Sequence, residues 1–213
     1  MEFLAKEILE YSLNFTEKES KLLEELNRET YAKMMMPRML SGHMQGRFLS
    51  MISKMIMPET IIEIGTYTGY SALCLAEGLK KSGKIHTIDI NEEYTSFAKR
   101  YFQKSKYSNN IIQHIGDAKN IIPNIQNKAQ LIFIDADKES YNTYYNLSFK
   151  KLDVGGYIIA DNVLWSGKVI KEEKDHETSC LHQYNKTIHK DNKVENILLP
   201  IRDGIMISKK ISD

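Results

Sequence analysis

After Pro58 the sequence alternates short β-rich segments with helical patterns, and this alternation restricts the possible folds more than any other feature. Strand, helix and strand with short connections are typical of a parallel sheet that is covered by helices on both faces. The β-rich segments are "TIIEIG" (60–65), "KIHTIDI" (84–90), "NIIQHIG" (110–116), "QLIFIDA" (130–136) and "GGYIIADNV" (155–163).

The end of the chain indicates a different connection. A helix is expected at about 174–190, and two further β-rich segments follow at 193–201 and 204–210. Only "RD" separates these two segments, which favours an antiparallel hairpin at one side of the sheet. We therefore predict an α/β fold with a doubly wound, seven-stranded, mostly parallel sheet (Rossmann-like) whose last strand is reversed.

The first part of the chain is expected to be helical, because apolar residues such as Leu4 and Ile8 recur at helical spacing. No internal repeat and no linker rich in Pro, Gly or Ser divides the sequence. We predict a single domain, 1–213, with a helical N-terminal part (1–57) and an α/β core (58–213).

Charge and cysteine content disfavour several function classes. Lys and Arg number 29 against 28 Asp and Glu, so a net charge of +1 gives no general attraction to nucleic acid. Cys74 and Cys180 lack the spacing of a disulfide framework or a thiolate zinc site. The N-terminus is charged, and no apolar stretch has the length of a membrane span. A cytoplasmic location without membrane contact is the expectation.

The predicted first strand ends in "EIGTYTGYS" (63–71), where a helix is expected to begin near Ser71. Gly65 and Gly69 permit either tight packing or the close approach of a ligand to the backbone, and free N–H groups at a helix start bind anionic groups. Position 67 is Tyr, so the dinucleotide fingerprint GxGxxG is absent. Glu63 favours a ligand, since a carboxylate inside an apolar strand is costly without a partner.

The second and third predicted strands also end in acidic residues. Asp89 follows Gly65 by 24 residues, a position suited to both hydroxyls of a ribose, and Asn91 can cap the next helix equally well. Asp117 in "GDA" either caps a helix or meets an adenine. The three strand ends together indicate an adenosine-containing cofactor without a pyrophosphate.

The fourth and fifth predicted strands end in "FIDADK" and "IIADN". Asp135, Asp161 and Asn162 are expected at the tips of adjacent strands, with Lys138 one turn further on. Two carboxylates and an amide oxygen suit Mg²⁺ or Ca²⁺ better than zinc. Two independent loop turns are the alternative, and the joint occurrence favours a metal site.

Longer segments around these strand ends carry a resemblance to a known family. They are "EIGTYTGYSAL", "IDIN", "GDA", "FIDADKESY" and "ADNVLWSGKV". On these segments the chain resembles the cation-dependent class I S-adenosylmethionine O-methyltransferases of the caffeoyl-CoA and catechol type. "DADK" with a later "DN" is more selective than "EIG", which marks only the broad S-adenosylmethionine superfamily. The resemblance covers nearly the whole chain and implies a homodimer.

The resemblance also implies a role for individual residues toward the cofactor. Glu63 and Gly65 would line the methionine part of S-adenosyl-L-methionine, and Ser71 would meet its carboxylate. Asp89 would hold the ribose hydroxyls. The remaining implied cofactor contacts are Asp117 and Ala118 at the adenine, Met44 over the cofactor, and Asp135.

For the reacting groups, the resemblance implies that Asp135, Asp161 and Asn162 bind a divalent cation. Mg²⁺ is expected, with Mn²⁺ or Ca²⁺ as alternatives. Lys138 falls on the residue proposed as the general base, with Asp135 as the second catalytic residue. Trp165 is expected to be either an aromatic wall for a planar substrate or a packing residue.

The leading functional hypothesis is cation-dependent methyl transfer to one hydroxyl of a small aromatic vicinal diol. Methylation of a hydroxylated wobble uridine in tRNA is the alternative, which near-zero net charge disfavours. A non-catalytic cofactor-binding module ranks last, because all three metal ligands and Lys138 are present. Tyr141, Tyr144 and Tyr145 are expected to pack in the core, and Lys209 and Lys210 to be solvated.

Overall fold

The computed structural model describes residues 5–213, and Leu4, which contributed to the predicted first helix, lies outside them. In the N-terminal part the helices are α1 (Lys6–Asn14), α2 (Lys21–Lys33) and α3 (Gly42–Ile56). A short 3-10 turn, Pro37–Met39, connects α2 to α3. No helix within residues 5–213 is both long enough and apolar enough to cross a membrane. The cytoplasmic location and the single domain stay predictions.

Local sequence explains where α2 begins and where α3 ends. Ser20 caps α2, because its hydroxyl accepts a hydrogen bond from the otherwise unpaired Leu23 N. Met57 ends α3 in the left-handed conformation, and Pro58 follows directly. Proline restricts the residue before it and cannot continue a helix, so the chain turns here into the first strand.

One seven-stranded sheet forms the centre of the described chain. Its strands are β1 (Thr60–Ile64), β2 (Lys84–Asp89), β3 (Ile111–Ile115), β4 (Ala129–Ile134), β5 (Leu152–Ala160), β6 (Val194–Leu199) and β7 (Ile205–Lys210). The strand order is β3-β2-β1-β4-β5-β7-β6. The pairs from β3 to β5 are parallel, and β7 is antiparallel to both β5 and β6. The predicted sheet with a reversed last strand is confirmed.

The remaining helices are α4 (Tyr70–Ala76), α5 (Glu92–Lys104), α6 (Ala118–Ile121), α7 (Tyr141–Lys151) and α8 (His176–Lys190). Successive strand residues point to opposite faces, so β1 contributes to two cores. Ile61 packs with side chains of α2 to α5, whereas Ile62 and Ile64 pack with those of α6 to α8. Each such side chain contributes about 1.5–3 kcal/mol of burial free energy. The two cores hold the sheet rigidly between its helices.

The terminal hairpin contains one residue that the sequence analysis placed wrongly. Lys210 is 2% exposed. Its Nζ donates hydrogen bonds of 3.1 Å to the carbonyl oxygens of Phe149 and Leu152. These carbonyls lie at the end of α7, where helical carbonyls lack partners and attract a cation. Lys210 is therefore buried as a helix cap, and the expectation of a solvated side chain is wrong.

Because β1 to β5 are parallel, their carboxyl ends share one edge of the sheet, which is where open α/β sheets bind ligands. β5 begins at Leu152 and ends at Ala160, three residues earlier at both ends than the predicted segment. Asp161 and Asn162 consequently lie in the loop that follows the strand. A loop residue has the freedom to turn its side chain toward a neighbouring strand end.

Candidate active site at the carboxyl ends of the strands

The ends of β4 and β5 bring two distant segments of the sequence together. Ile134 pairs with Ala160, and Asp161 N donates a hydrogen bond to Ile134 O at 3.0 Å. Asp135 follows β4 directly. Asn162 has a φ of 60°, the left-handed conformation that Asn adopts more readily than most residues. The structure thus places Asp135, Asp161 and Asn162 next to one another.

Lys138 lies between these two strand ends. Its Nζ donates hydrogen bonds to Asp135 Oδ1 at 3.1 Å and to Asn162 Oδ1 at 2.6 Å. A third hydrogen bond of 3.0 Å reaches Tyr141 Oη. Lys138 is 9% exposed, so the ammonium group depends on these oxygens for its solvation. Oxygen atoms from both strand ends therefore converge on one positive group.

Asp161 is the more deeply buried of the two carboxylates, with 4% of its surface exposed. Its Oδ2 accepts a hydrogen bond of 2.7 Å from Gln45 Nε2, and its Oδ1 accepts one of 2.8 Å from Asn162 N. Burial and the neighbouring Asp135 carboxylate raise the pKa of Asp161 above its usual range. The site therefore concentrates negative charge in a place that favours a cation.

On β1, the strand next to β4, the course of the loop that follows the strand depends on Gly65. This residue has a φ of 100°, and a Cβ built on it would lie 1.9 Å from Asp135 O. Only glycine fits so close to the end of β4. Tight packing explains Gly65 by itself, and the same residue also lines the cleft described below.

Asp89 organises the loop that follows Gly65. Its Oδ2 accepts hydrogen bonds from Thr66 N at 3.0 Å and Tyr67 N at 2.8 Å. Its Oδ1 accepts one from Asn91 N at 2.9 Å. The cap of α5 is Asn91, whose Oδ1 accepts from two backbone N–H groups of the first turn. Asp89 is therefore not the helix cap, and its carboxylate fixes the conformation of the loop between β1 and α4.

Glu63 is fully buried within β1. Its Oε2 accepts a hydrogen bond of 2.5 Å from Thr87 Oγ1, while Oε1 has no hydrogen-bond partner among residues 5–213. Burial raises the pKa of Glu63 to about 8, although the Ser71 hydroxyl and, to a smaller extent, the Thr87 hydroxyl oppose this shift. A buried carboxylate oxygen without a partner is costly. Glu63 thus suits a ligand that brings a hydrogen-bond donor.

The other predicted cofactor residues occupy separate positions. Asp117 caps α6, because its Oδ1 accepts a hydrogen bond of 2.9 Å from Lys119 N. Ala118 is buried at the start of the same helix, and Met44 is half-buried in the first turn of α3. The cap predicted for Asp117 is present, and its contact with an adenine stays a prediction.

A cleft of about 680 Å³ lies at the carboxyl edge of the sheet. Among the predicted site residues, its lining includes Gly65, Ser71, Asp135, Lys138, Asp161, Asn162 and Trp165. Within the described chain, the predicted residues that lie outside this lining are Met44, Glu63, Asp89, Asp117 and Ala118. The cleft therefore contains the implied metal and catalytic residues but only part of the implied cofactor set.

Trp165 stands at one wall of the cleft, on a 3-10 segment after Asn162. Its ring centroid lies 5.6 Å from Lys138 Nζ. Trp165 and Ser166 have φ values of 45° and 54°, which non-glycine residues seldom adopt. Asp203 stabilises this turn by accepting a hydrogen bond from Ser166 N. The aromatic wall is thus held by the hairpin turn between β6 and β7.

Sequence reasoning missed Gln45 and Arg202 at the site. Arg202 Nη1 donates to Gln45 Oε1 at 3.0 Å, and Gln45 in turn donates to Asp161. A buried Gln in a helix and a charged residue in a tight turn are common for other reasons, so neither position carried a signal. Tyr141 was predicted to pack in the core and is fully buried, but its Oη also donates to Asp161 O at 2.9 Å.

Within residues 5–213, no cluster of three or more His, Cys, Asp or Glu side chains could hold a metal ion. The set predicted for a cation differs in composition, because it consists of two carboxylates and the Asn162 amide oxygen. Asp137, whose role the sequence left open, begins the 3-10 turn Lys138–Ser140 and accepts a hydrogen bond from Tyr144 Oη. Asp137 therefore serves the fold of this turn.

The fold and the position of the cleft define a methyltransferase architecture, which solved structures share. The O-methyltransferase from Bacillus cereus in complex with SAH is 25% identical, with a TM-score of 0.87, and the match covers 94% of this chain and 96% of that one. The O-methyltransferase TomG from Streptomyces achromogenes in complex with SAM is 22% identical, also with a TM-score of 0.87 over 95% of each chain. The second similarity concerns the fold alone.

Sequence comparisons identify the family within this class. The profile of the O-methyltransferase family matches residues 12–211. Caffeoyl-CoA O-methyltransferase 1 of Eucalyptus globulus is 34% identical, covering 98% of this chain and 89% of the relative. The enzyme of the same name from Arabidopsis thaliana is 33% identical, covering 96% and 83%. The chain therefore belongs to the O-methyltransferase family, and the class of S-adenosylmethionine-dependent O-methyltransferases inferred from its sequence motifs is confirmed.

Proposed function

We propose that this O-methyltransferase transfers a methyl group from S-adenosylmethionine to one hydroxyl of a small aromatic vicinal diol, with the help of a divalent cation. One observation carries the proposal. Asp135, Asn162 and Lys138 converge within hydrogen-bond distance in a cleft that Asp161 also lines. Two of the named relatives are caffeoyl-CoA O-methyltransferases, which supports a phenolic substrate of this kind.

The residues at the ends of β4 and β5 fit a hard divalent cation. All three candidate donors offer oxygen atoms, which Mg²⁺, Mn²⁺ and Ca²⁺ prefer. The Lys138 ammonium already contacts two of these oxygens, so their arrangement accepts a positive group. When bound, such a cation polarises a coordinated hydroxyl and lowers its pKa. Asp135, Asp161 and Asn162 are the residues that would hold it.

Lys138 is the residue placed to manage the hydroxyl proton. Its Nζ lies beside the candidate cation ligands and is fixed by Tyr141 Oη, whose own proton is donated to Asp161 O. We propose that Nζ acts in one of two ways: as a neutral amine it would receive the proton of the substrate hydroxyl, and as an ammonium group it would stabilise the oxyanion that remains. Trp165 lines the cleft and would hold the aromatic ring of the substrate flat against the cleft wall. The buried Nε1 of Trp165 has no hydrogen-bond partner within the described chain.

The ends of β1 and β2 fit the methyl donor. S-adenosylmethionine supplies a methyl group activated by its sulfonium. The unpartnered Glu63 Oε1 and the Asp89 carboxylate offer acceptors for its ammonium and hydroxyl groups, and Ser71 lies at the N-terminus of α4, which favours its carboxylate. Fixing donor and phenol in one cleft is the main contribution expected from this chain, since alignment lowers the barrier to methyl transfer.

Substrate size and charge favour a small molecule over tRNA. A cleft of about 680 Å³ has the volume usual for small-molecule sites. Binding to tRNA would draw on positive charge along the phosphate backbone, and the chain has a net charge of +1. A non-catalytic role is disfavoured because the three candidate cation ligands and Lys138 all line the cleft.

The proposal is tested by methyl transfer from labelled S-adenosylmethionine to a panel of catechols, monophenols and unmethylated tRNA, with and without a chelator. We expect labelled product from vicinal diols only, loss of product after chelation, and recovery with Mg²⁺. Undiminished transfer in the chelator would contradict the cation, and labelling of tRNA alone would replace the phenol with RNA as the substrate.

The homodimer implied by the family resemblance is part of this proposal. Met51 and Met55 on α3 are 59% and 72% exposed, which leaves apolar surface for a second copy to cover. Light scattering coupled to gel filtration measures the mass directly. A mass of about 25 kDa, the monomer value, would reject the dimer.

A further inference from the structure

We propose that Arg202 and Gln45 form a relay that orients the Asp161 carboxylate for a divalent cation. Both would be positioning residues, because they act on the cation only through Asp161. The inference rests on the cation site proposed above and extends it to two residues from distant parts of the chain. Their contacts with Asp161, their burial and the chemistry of the amide group support it.

Gln45 makes the direct contact with the carboxylate. It is fully buried in α3, and its Nε2 donates to Asp161 Oδ2 at 2.7 Å. The other carboxylate oxygen accepts from Asn162 N at 2.8 Å. Hydrogen bonds to both oxygens hold the plane of the Asp161 carboxylate, and the lone pairs that remain are those available for a cation. Partners of this kind tune the affinity of metal sites.

Arg202 determines which end of the Gln45 amide faces Asp161. A guanidinium group can only donate hydrogen bonds, and a carboxylate can only accept them. The amide between them satisfies both neighbours in one orientation, with its oxygen toward Arg202 and its NH₂ group toward Asp161. Arg202 Nη1 accordingly donates to Gln45 Oε1 at 3.0 Å, and also to Leu40 O at 3.2 Å. Without Arg202, the amide could turn its oxygen toward the carboxylate.

The charge of Arg202 makes the proposal easy to test, because it opposes the proposed effect. A positive group near a cation site weakens cation binding by repulsion. Removal of Arg202 should therefore strengthen Mn²⁺ binding if charge alone mattered. Weaker binding after its removal requires the positioning role. The backbone of Arg202 has a φ of 50°, which glycine adopts readily, so Arg202→Gly is compatible with the local fold.

The experiment measures Mn²⁺ binding to the full chain, without S-adenosylmethionine, by electron paramagnetic resonance or calorimetry. Gln45→Met keeps the side-chain length and removes both hydrogen bonds, and we expect its Kd to rise by about 10–100-fold. Arg202→Gly should raise the Kd by about tenfold. Arg202→Lys keeps a donor and the charge and should restore most of the affinity. Exposed Arg28 of α2 provides the control, since Arg28→Ala removes a distant charge and should leave the Kd unchanged.

The double variant separates a relay from two independent effects. In the Gln45→Met background, Arg202→Gly should no longer weaken Mn²⁺ binding, because the residue through which Arg202 acts is gone. Equal weakening in both backgrounds would overturn the relay, as would unchanged or tighter binding by Arg202→Gly alone. If the unaltered protein fails to bind Mn²⁺, the cation site itself is wrong. Failure of the relay alone gives a different result, in which the unaltered protein binds Mn²⁺ and the variants bind it equally well.

Discussion

The two halves of the carboxyl edge are held together in different ways. At the ends of β1 and β2, Asp89 binds the backbone of Thr66 and Tyr67, residues only 23 and 22 positions away. At the ends of β4 and β5, Asp161 is bound by Gln45, 116 positions away, which Arg202 holds across 157 positions. The first half is a local motif and the second is a tertiary assembly.

This difference predicts how each half responds to mutation. A local motif keeps its shape as long as its own loop and neighbouring strand are intact. A tertiary assembly depends on helices and turns that dock independently, so a change far away in sequence can alter it. The halves should therefore be separable, with variants of one half sparing ligand binding at the other.

The largest effect is expected from Asp161→Ala in the β4–β5 half. Loss of this carboxylate should lower methyl transfer by about 100-fold or more, since a bound cation contributes several kcal/mol to such reactions. Titration calorimetry should show unchanged affinity for S-adenosylmethionine, because the β1–β2 half is untouched. Full activity would show that Asp161 is not a cation ligand. A parallel loss of affinity for S-adenosylmethionine would show that the two halves are coupled.

Glu63→Gln tests the β1–β2 half and should have an intermediate effect. The amide has one acceptor oxygen and cannot ionise when the ammonium group of S-adenosylmethionine binds, so affinity for this methyl donor should fall by about tenfold. Mn²⁺ binding at the other half should stay the same. Calorimetry with each ligand measures both quantities. A large change in Mn²⁺ affinity would contradict the separation of the halves.

The same variant has a predicted pH dependence of stability. Folding raises the pKa of Glu63 from 4.5 to about 8, so the unfolded chain releases this proton at lower pH than the folded chain does. Between these two pH values the free energy of unfolding therefore falls as the pH rises, and Glu63 accounts for up to about 1.4 kcal/mol of this fall for each pH unit. Glu63→Gln should thus gain stability relative to the natural chain across this window in urea titrations. The exposed Glu93→Gln is the matched control and should show a flat difference.

The smallest effect is expected from Trp165→Ala at the cleft wall. Loss of the ring should raise KM for a phenol by about three- to tenfold, the range of an aromatic contact. Affinity for S-adenosylmethionine and for Mn²⁺ should change little. Trp165→Phe should reverse part of the rise in KM. Steady-state kinetics decides between this role and packing. A loss of thermal stability without any change in KM would assign Trp165 to packing.

Much of the fold was predictable because its signals are local. Alternation of apolar segments and helices requires only neighbouring residues, and it led to the seven-stranded sheet with its reversed last strand. The strand boundaries were less accurate, since β5 begins three residues before the predicted segment. Apolar residues mark the buried centre of a strand, whereas its ends depend on pairing with neighbours.

The candidate site was only partly predictable for the same reason. Asp135, Lys138, Asp161 and Asn162 follow strands that the sequence revealed, so their meeting at one edge could be expected. Tyr141 was assigned to the core, because its helical spacing predicts that the ring is buried but does not show that its hydroxyl makes a hydrogen bond. Lys210 was placed in solvent, since its partners are helix-end carbonyls that no pattern reveals.

The sequence by itself determined the type of sheet, the strand ends at which polar residues lie, and the family resemblance of their motifs. Those features depend on the order of residues along the chain. Only the tertiary structure decided that Gln45 meets Asp161 and that Arg202, in the turn between β6 and β7, contacts Gln45. Such contacts arise when separate elements pack on one another, and their distances are set by the docking of α3 and the hairpin against the sheet.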